Sequence, residues 1–188
     1  MIQKVHSISD YRESSISLDD KETILDEIMT LYAEKVYLLA YSFVKDKGVA
    51  EDIAQEVFIK CYRNLDKFRG DSQMKSWIYR IAVNTSKDFV RKRKYKILYF
   101  QREALEDLMR SKSLEDTYVE KSENKQLLLQ VLSLKPKYRE VIILHYFHDL
   151  KITEISETLG INTNTVKTRL ARGKLVLSEM LNNQKEAF

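Results

Sequence analysis

The sequence predicts an all-α protein built from two small helical domains joined by a linker, the second domain containing a helix-turn-helix. Apolar residues recur at steps of three and four through most of the chain, which is the period of a helix with one buried face. The 188 residues include one proline and four glycines, so we expect few turns and long helices. The helical period weakens near residues 97–122, which divides the pattern into two parts.

The first domain is predicted over residues 22–96, after a flexible or weakly helical lead-in at residues 1–21. Three apolar stripes indicate three helices that pack on one another. The stripes cover residues 25–43, 50–65 and 77–89. Trp77 lies at helical spacing with Ile78 and Ile81, so we expect it in the core rather than in a base-stacking role. Cys61 lies on the second stripe and is expected to be buried as a small hydrophobe.

The second domain is predicted over residues 126–188, after a linker at residues 97–125 with some helical content. Pro136 is expected to open a helix at its first turn, where its missing N–H costs nothing. The apolar pattern around it consists of Leu127, Leu128, Val131, Leu132, Val141, Ile142, Leu144, Tyr146 and Phe147. If these apolar residues share a core with those of residues 151–181, residues 126–188 form a second compact domain.

Residues 151–181 have the pattern of two helices joined by a tight turn. Thr153 is expected to cap a short helix at residues 154–159, and Gly160 suits the left-handed residue that ends it. Asn162 is expected to cap the next helix. The inward residues are Ile155, Leu159, Ile161, Val166 and Leu170. With Lys167 and Arg172 pointing outward, the pattern favours a DNA-binding helix-turn-helix over a plain helical hairpin.

Charge is distributed unevenly along the chain. Acidic residues dominate residues 10–34, whereas residues 75–96 contain eight bases and one acid. Residues 163–176 contain four bases and no acid. Two separate basic patches indicate two contacts with a polyanion, although solvated helix faces are the usual reason for such runs.

The sequence indicates neither catalysis nor export. His145 and His148 lie three residues apart, but no cysteine or carboxylate cluster joins them at metal-ligand spacing, so we expect both to be structural. No catalytic residue, metal site or cofactor is therefore expected. The polar N-terminus has no signal-peptide pattern and the chain has no apolar run long enough to span a bilayer, which favours a cytoplasmic protein.

Three segments resemble a known family. Residues 153–177, TEISETLGINTNTVKTRLARGKLVL, resemble the C-terminal DNA-binding domain of bacterial RNA polymerase sigma factors of the extracytoplasmic-function group. Residues 50–58, AEDIAQEVF, and 68–84, FRGDSQMKSWIYRIAVN, are similar to the N-terminal domain of the same family. The motifs stand in the family's order, and the two domains to which they belong cover about 140 residues.

The resemblance implies a sigma factor that binds RNA polymerase core and directs promoter recognition and transcription initiation, while the polymerase does the chemistry. Residues implied to bind the polymerase are Asp52, Gln55 and Glu56. Residues implied to read the −10 element as a single strand are Gly70, Asp71, Ser72, Met74, Lys75, Arg80, Asn84, Lys87, Arg91 and Arg93. Residues implied to contact the −35 element are Asn164, Thr165, Lys167, Thr168, Arg169, Arg172 and Lys174. The implied partners are polymerase core, promoter DNA and an anti-sigma factor, often membrane-anchored, with no small-molecule substrate.

The chain departs from the family pattern at a few positions. Ser156 and Gly173 stand where alanine is common, and Asn164 replaces a common glycine. An interior glycine weakens a helix by about 1 kcal/mol. The alternative function is a helix-turn-helix regulator that binds duplex DNA without acting as a polymerase subunit. That alternative accounts for residues 153–177 but gives no role to AEDIAQEVF.

Overall fold

The computed structural model describes residues 18–68, 73–99 and 125–185, and in these segments every regular element is helical. The first three helices are α1 (Leu18–Val44), α2 (Lys47–Asn64, followed by a 3₁₀ turn at Leu65–Lys67) and α3 (Met74–Tyr99). The later ones are α4 (Lys125–Ser133), α5 (Pro136–Ile142, followed by a π turn at Ile143–Phe147), α6 (Ile152–Leu159) and α7 (Thr163–Lys185). No helix in this described part is long and apolar enough to cross a membrane.

Helices α1, α2 and α3 pack on one another and form the first helical region. Asp46 caps α2, because its carboxylate accepts a hydrogen bond from the Val49 N–H at 3.1 Å. The burial predicted for Cys61 is confirmed, and burial raises the pKa of its thiol to about 12. The predicted stripes also contained Met29 and Phe89, which are 42% and 37% exposed. Helical spacing alone does not decide whether such a residue is buried.

A buried arginine holds the turn between α4 and α5. Pro136 occupies the first turn of α5, as predicted. Arg139, one turn later, is 6% exposed and donates from Nη1 to the carbonyl oxygens of Leu132 and Leu134 at 2.7 and 3.0 Å. These carbonyls lie at the end of α4 and just beyond it, where the helix itself supplies no donors.

Replacing Arg139 by methionine should lower the free energy of unfolding by about 2 kcal/mol, because two carbonyl groups lose their donor in a buried environment. Methionine keeps much of the side-chain volume, so the loss isolates the hydrogen bonds. Urea denaturation monitored by circular dichroism measures it, with the exposed Lys137→Met on the same helix as the control. Equal stability of the two variants would show that the guanidinium is not needed.

The helix-turn-helix forms from α6 and α7, with one difference in its capping. Helix α6 begins at Ile152, and the carboxylate of Glu154 accepts from the Lys151 N–H at 2.6 Å. Thr153 therefore lies inside the first turn, and the prediction that it caps the helix is wrong. Gly160 has the expected positive φ of 65°. Asn162 caps α7 as predicted, since its Oδ1 accepts from the Asn164 N–H at 2.8 Å.

Two of the unusual residues have structural reasons. The Ser156 hydroxyl donates to the Ile161 carbonyl across the turn, a bond that alanine could not make. Gly173 is buried where α7 approaches α5, and an added Cβ would lie 3.1 Å from Cγ1 of Ile142. The glycine thus allows close packing of the two helices, which offsets its weak helix propensity.

The π turn changes which side chains of the second region face inward. Its extra residue per turn rotates the side chains that follow relative to a regular helix. Tyr146, a member of the apolar pattern, is consequently 52% exposed, and Phe147 is only half-buried.

The two helical regions contact each other directly. Helix α3 packs against α6, and α1 packs against α5 and the π turn. At the centre of this contact the rings of Tyr79 and His148 stack at a centroid distance of 4.5 Å, and both side chains are buried.

Candidate nucleic-acid and polymerase interfaces

One exposed face of α2 contains the three residues to which the family resemblance gives a role in polymerase binding. Asp52, Gln55 and Glu56 are all exposed. They lie opposite the core stripe of α2, in which Ile53 and Val57 are buried. A docking surface has to be exposed, and this face meets that requirement.

Ile59 extends the face of α2 and was not predicted from the sequence. It lies seven residues after Asp52 and three after Glu56, so helical geometry puts it on the same face. Its side chain is 44% exposed, although isoleucine is among the most often buried residues. The helical spacing could have identified it, but the sequence does not show whether an isoleucine is exposed.

Helix α3 carries the described part of the predicted −10 surface. Gly70, Asp71 and Ser72 lie outside the described residues. Met74, Lys75, Arg80 and Arg93 are half-buried, and Asn84, Lys87 and Arg91 are exposed. The last three, with Arg80, follow helical spacing along one side of α3, so the structure brings them into one row.

Four polar residues of α3 are in contact with the second helical region. The Lys75 Nζ donates to the carbonyl of Asp149 at 2.9 Å. The remaining three contacts end on carboxylates, and they are Ser76 to Glu154 at 3.2 Å, Arg80 to Glu157 at 3.4 Å and Lys87 to Glu140 at 3.7 Å. The predicted −10 surface of α3 therefore faces acidic side chains of the second helical region.

The predicted −35 residues lie on α7, mostly exposed. Exposed members are Asn164, Lys167, Thr168, Arg172 and Lys174, while Thr165 and Arg169 are half-buried. The Thr168 hydroxyl donates to the Asn164 carbonyl at 2.9 Å within the helix. Arg169 donates to the Glu140 carboxylate of α5 at 2.9 Å. This bond holds the guanidinium of Arg169 between α5 and α7.

An open pocket of about 350 Å³ lies between α5 and the start of α7. It is lined by Lys137, Tyr138, Asn164, Thr165, Thr168, Arg169 and Arg172. The two residues from α5 were not predicted, because they belong to no helix-turn-helix motif and come near α7 only through the fold. Three cations and the first turn of a helix surround this pocket, an arrangement that suits a phosphate oxygen.

The two neighbouring histidines have packing contacts. The His145 Nδ1 lies 2.9 Å from the carbonyl oxygen of Leu150. His148 is buried against Tyr79, and burial lowers the pKa of its imidazole to about 4. Among the described residues, no three His, Cys, Asp or Glu side chains are arranged to hold a metal ion.

Comparisons with known proteins match both helical regions. Residues 28–95 match the family described as Sigma-70 region 2, and residues 124–177 match Sigma-70, region 4; together they cover more than half of the chain. The ECF RNA polymerase sigma factor SigW of Bacillus subtilis is 35% identical over 179 residues, covering 90% of this chain and 95% of SigW. The RNA polymerase sigma factor SigV of the same organism is 41% identical over 152 residues, covering 80% of this chain and 87% of SigV.

Solved structures share the fold. The sigma factor RpoE of Bartonella quintana, in complex with the anti-sigma factor NepR, aligns with a TM-score of 0.69 at 21% identity and covers 85% of this chain and 98% of RpoE. CnrH, in complex with the cytosolic domain of CnrY, aligns with a TM-score of 0.59 at 22% identity and covers 86% of this chain and 90% of CnrH.

Proposed function

Because the chain belongs to the extracytoplasmic-function group of RNA polymerase sigma factors, we propose that exposed faces of α2, α3 and α7 divide its work between them. A sigma factor is a non-catalytic subunit that directs RNA polymerase to promoters and to initiation through regions 2 and 4. In this proposal α2 binds the polymerase, α3 binds the −10 element as a single strand, and α7 binds the −35 element as duplex. The observation that carries the proposal is the presence of two separate basic surfaces, one on each helical region.

The polymerase contact is assigned to the face of α2 that contains Asp52, Gln55, Glu56 and Ile59. Its acids would attract a basic partner surface and orient it, whereas Ile59 would supply apolar area at the contact. Protein interfaces typically combine buried apolar side chains with polar side chains around them.

The −10 contact is assigned to α3. A single strand is held by cations that follow its backbone, and Arg80, Lys87 and Arg91 supply a row of them. Asn84 lies within this row and has both a hydrogen-bond donor and an acceptor for a base edge. Phosphate contacts of this kind position the strand, while base contacts select its sequence.

The −35 contact is assigned to α7 and to the pocket beside it. Lys167, Thr168 and Arg172 face outward near the start of the helix, where a recognition helix meets the major groove. Lys137 of α5 lines the pocket and would hold a phosphate of the same duplex. The linker between the regions would keep the two DNA contacts at a high effective concentration once the polymerase orients them.

Replacing Arg172 by alanine should weaken binding of the holoenzyme to promoter DNA about tenfold and relax its choice at one base pair of the −35 element. The reason is that an arginine bonded to a base edge discriminates among bases, as a phosphate contact does not. The affinity is measured for a promoter and for its single-base −35 variants. As a matched control, Lys174→Ala should weaken binding to all of them equally. Unchanged sequence preference in Arg172→Ala would remove this residue from base recognition.

We also propose an anti-sigma partner and a cytoplasmic location for this chain. RpoE and CnrH, which share its fold, were each solved with a protein bound, and the protein bound to RpoE is the anti-sigma factor NepR. Purification of the tagged chain from its own cells, followed by a transcription assay with the co-purified protein, tests the partner. Inhibition of initiation supports the proposal, whereas a bound protein without effect on initiation contradicts it.

A further inference from the structure

Two arginines of α7 line the pocket between α5 and α7, and their guanidinium groups are held in different ways. Arg169 donates to the Glu140 carboxylate at 2.9 Å, so its charge is already balanced within the protein. Arg172 is exposed, and its hydrogen bond goes to a neutral group, the hydroxyl of Tyr138 on α5. Arg172 therefore keeps its charge for DNA while its side chain has a partner in the protein.

Tyr138 comes close to α7 because a glycine lies opposite it. Gly173, the neighbour of Arg172, is buried, and a Cβ added there would lie 3.5 Å from Cβ of Tyr138 and 3.1 Å from Cγ1 of Ile142. Carbon atoms attract best at about 3.5–4.0 Å, so a side chain at this position would push α5 away from α7. The glycine, which stands where alanine is common, thus brings the Tyr138 ring beside the pocket.

The Tyr138 hydroxyl accepts hydrogen bonds from two cations of the pocket, Lys137 and Arg172. The pKa of this hydroxyl is lowered from its ordinary value, because its desolvation, which acts to raise the pKa, is outweighed by the charge of Lys137 and by the two hydrogen bonds. The Lys137 Nζ also lies 5.0 Å from the centre of the Tyr138 ring. A guanidinium has five N–H donors, so the bond to the hydroxyl leaves enough donors for the two acceptors of a guanine edge.

We propose that Tyr138 is a positioning residue for the −35 contact, its hydroxyl fixing the direction of the Arg172 guanidinium before DNA binds. The proposal rests on the proposed role of Arg172 at a base edge. A long side chain that is already held loses less conformational freedom on binding, and a planar guanidinium held in one orientation fits one arrangement of base acceptors. The contact therefore increases discrimination among −35 sequences more than it increases general affinity for DNA.

Replacing Tyr138 by phenylalanine removes the hydroxyl and keeps the ring. Affinities of the holoenzyme are measured for a promoter, for its single-base −35 variants and for a duplex with a scrambled −35 element. We expect discrimination at the base pair read by Arg172 to fall about fivefold, as for the loss of one hydrogen bond, with unchanged affinity for the scrambled duplex. Tyr146→Phe removes an exposed hydroxyl from the same region and is the matched control. Equal discrimination in the two variants would overturn the proposal.

A double-mutant cycle with Arg172→Ala separates positioning from packing. If Tyr138 acts through Arg172, Tyr138→Phe lowers discrimination in the unmodified chain and has no further effect in the Arg172→Ala background. Equal effects in both backgrounds would contradict the proposal, because the hydroxyl would then act on another group. If Arg172→Ala alone leaves the sequence preference unchanged, the proposed function of Arg172 fails first, and the role of Tyr138 fails with it.

Replacing Gly173 by alanine tests the close approach of the two helices. This variant keeps both Tyr138 and Arg172 but moves α5 away from α7, so we expect it to lose discrimination at the same base pair as Tyr138→Phe. Alanine favours a helix more than glycine does, so a loss could not be attributed to a weaker α7. Discrimination equal to that of the unmodified chain would contradict the role given to Gly173.

Discussion

Reversing Asp52 and Glu56 together to lysine should weaken binding of the chain to polymerase core about 100-fold, because like charges placed against each other cost several kcal/mol. Both side chains are exposed on α2, so the fold should be retained. Specific transcription should fall to background at protein concentrations that saturate the unmodified chain. Binding is measured by titrating core with a fluorescently labelled chain.

The control for this reversal is the double change of Glu22 and Asp26 to lysine. Both are exposed acids on α1, so the net charge changes by the same amount at a different surface. Ile59→Ala separately tests the apolar part of the face and should weaken core binding without altering its salt dependence. If both double variants bind core alike, the contact lies elsewhere on the chain.

Acidification from pH 7 to pH 5 should lower the free energy of unfolding by about 2 kcal/mol through His148 alone. Burial lowers the pKa of this imidazole to about 4, so the folded protein holds it neutral while the unfolded chain binds a proton near pH 6.5. The unfolded state therefore gains protons first as the pH falls below 6.5, and this contribution to stability is lost progressively between pH 6.5 and pH 4. Lys35 and Asp149 also act on the ring, with opposite effects on its pKa.

The measurement is urea denaturation at several pH values between 7 and 5. His148→Phe keeps an aromatic ring against Tyr79 but has no proton to bind, so its stability should change less over this range. Because other groups titrate in both proteins, the difference between the two curves isolates the histidine. Parallel curves would show that His148 is not held neutral by the fold.

Much of the architecture follows from helical periodicity. All of the core residues predicted on α2 are buried. When three helices pack on one another, each turns one face toward the other two, and the apolar stripe marks that face. The glycine turn and the Asn162 cap were predictable because their conformations favour few residue types. The family motifs extended these predictions to function, since they lie on both helical regions in the expected order.

The remaining features depend on contacts between distant segments. Tyr79 is fully buried, yet the apolar stripe of α3 did not include it, because its ring packs against His148 of the second region as well as Tyr32 of α1. From the sequence, Arg139 would be expected at the surface. Its burial depends on the carbonyl groups at the turn after α4, which accept hydrogen bonds from its guanidinium. The π turn shifts by one residue which of the following side chains face inward, and a regular helical period does not predict such a shift. Lys137 and Tyr138 line the pocket beside the start of α7 only because α5 packs against α7.

Run-off transcription with purified polymerase core, with and without this chain, is the most direct test of its role as a sigma factor. Genomic promoter fragments serve as templates at moderate salt. We expect specific start sites that appear only with the chain present, and alignment of their upstream sequences should give two elements at a constant spacing. Tight binding to duplex DNA in the absence of core, together with no binding to core, would contradict this role and favour a duplex-binding regulator.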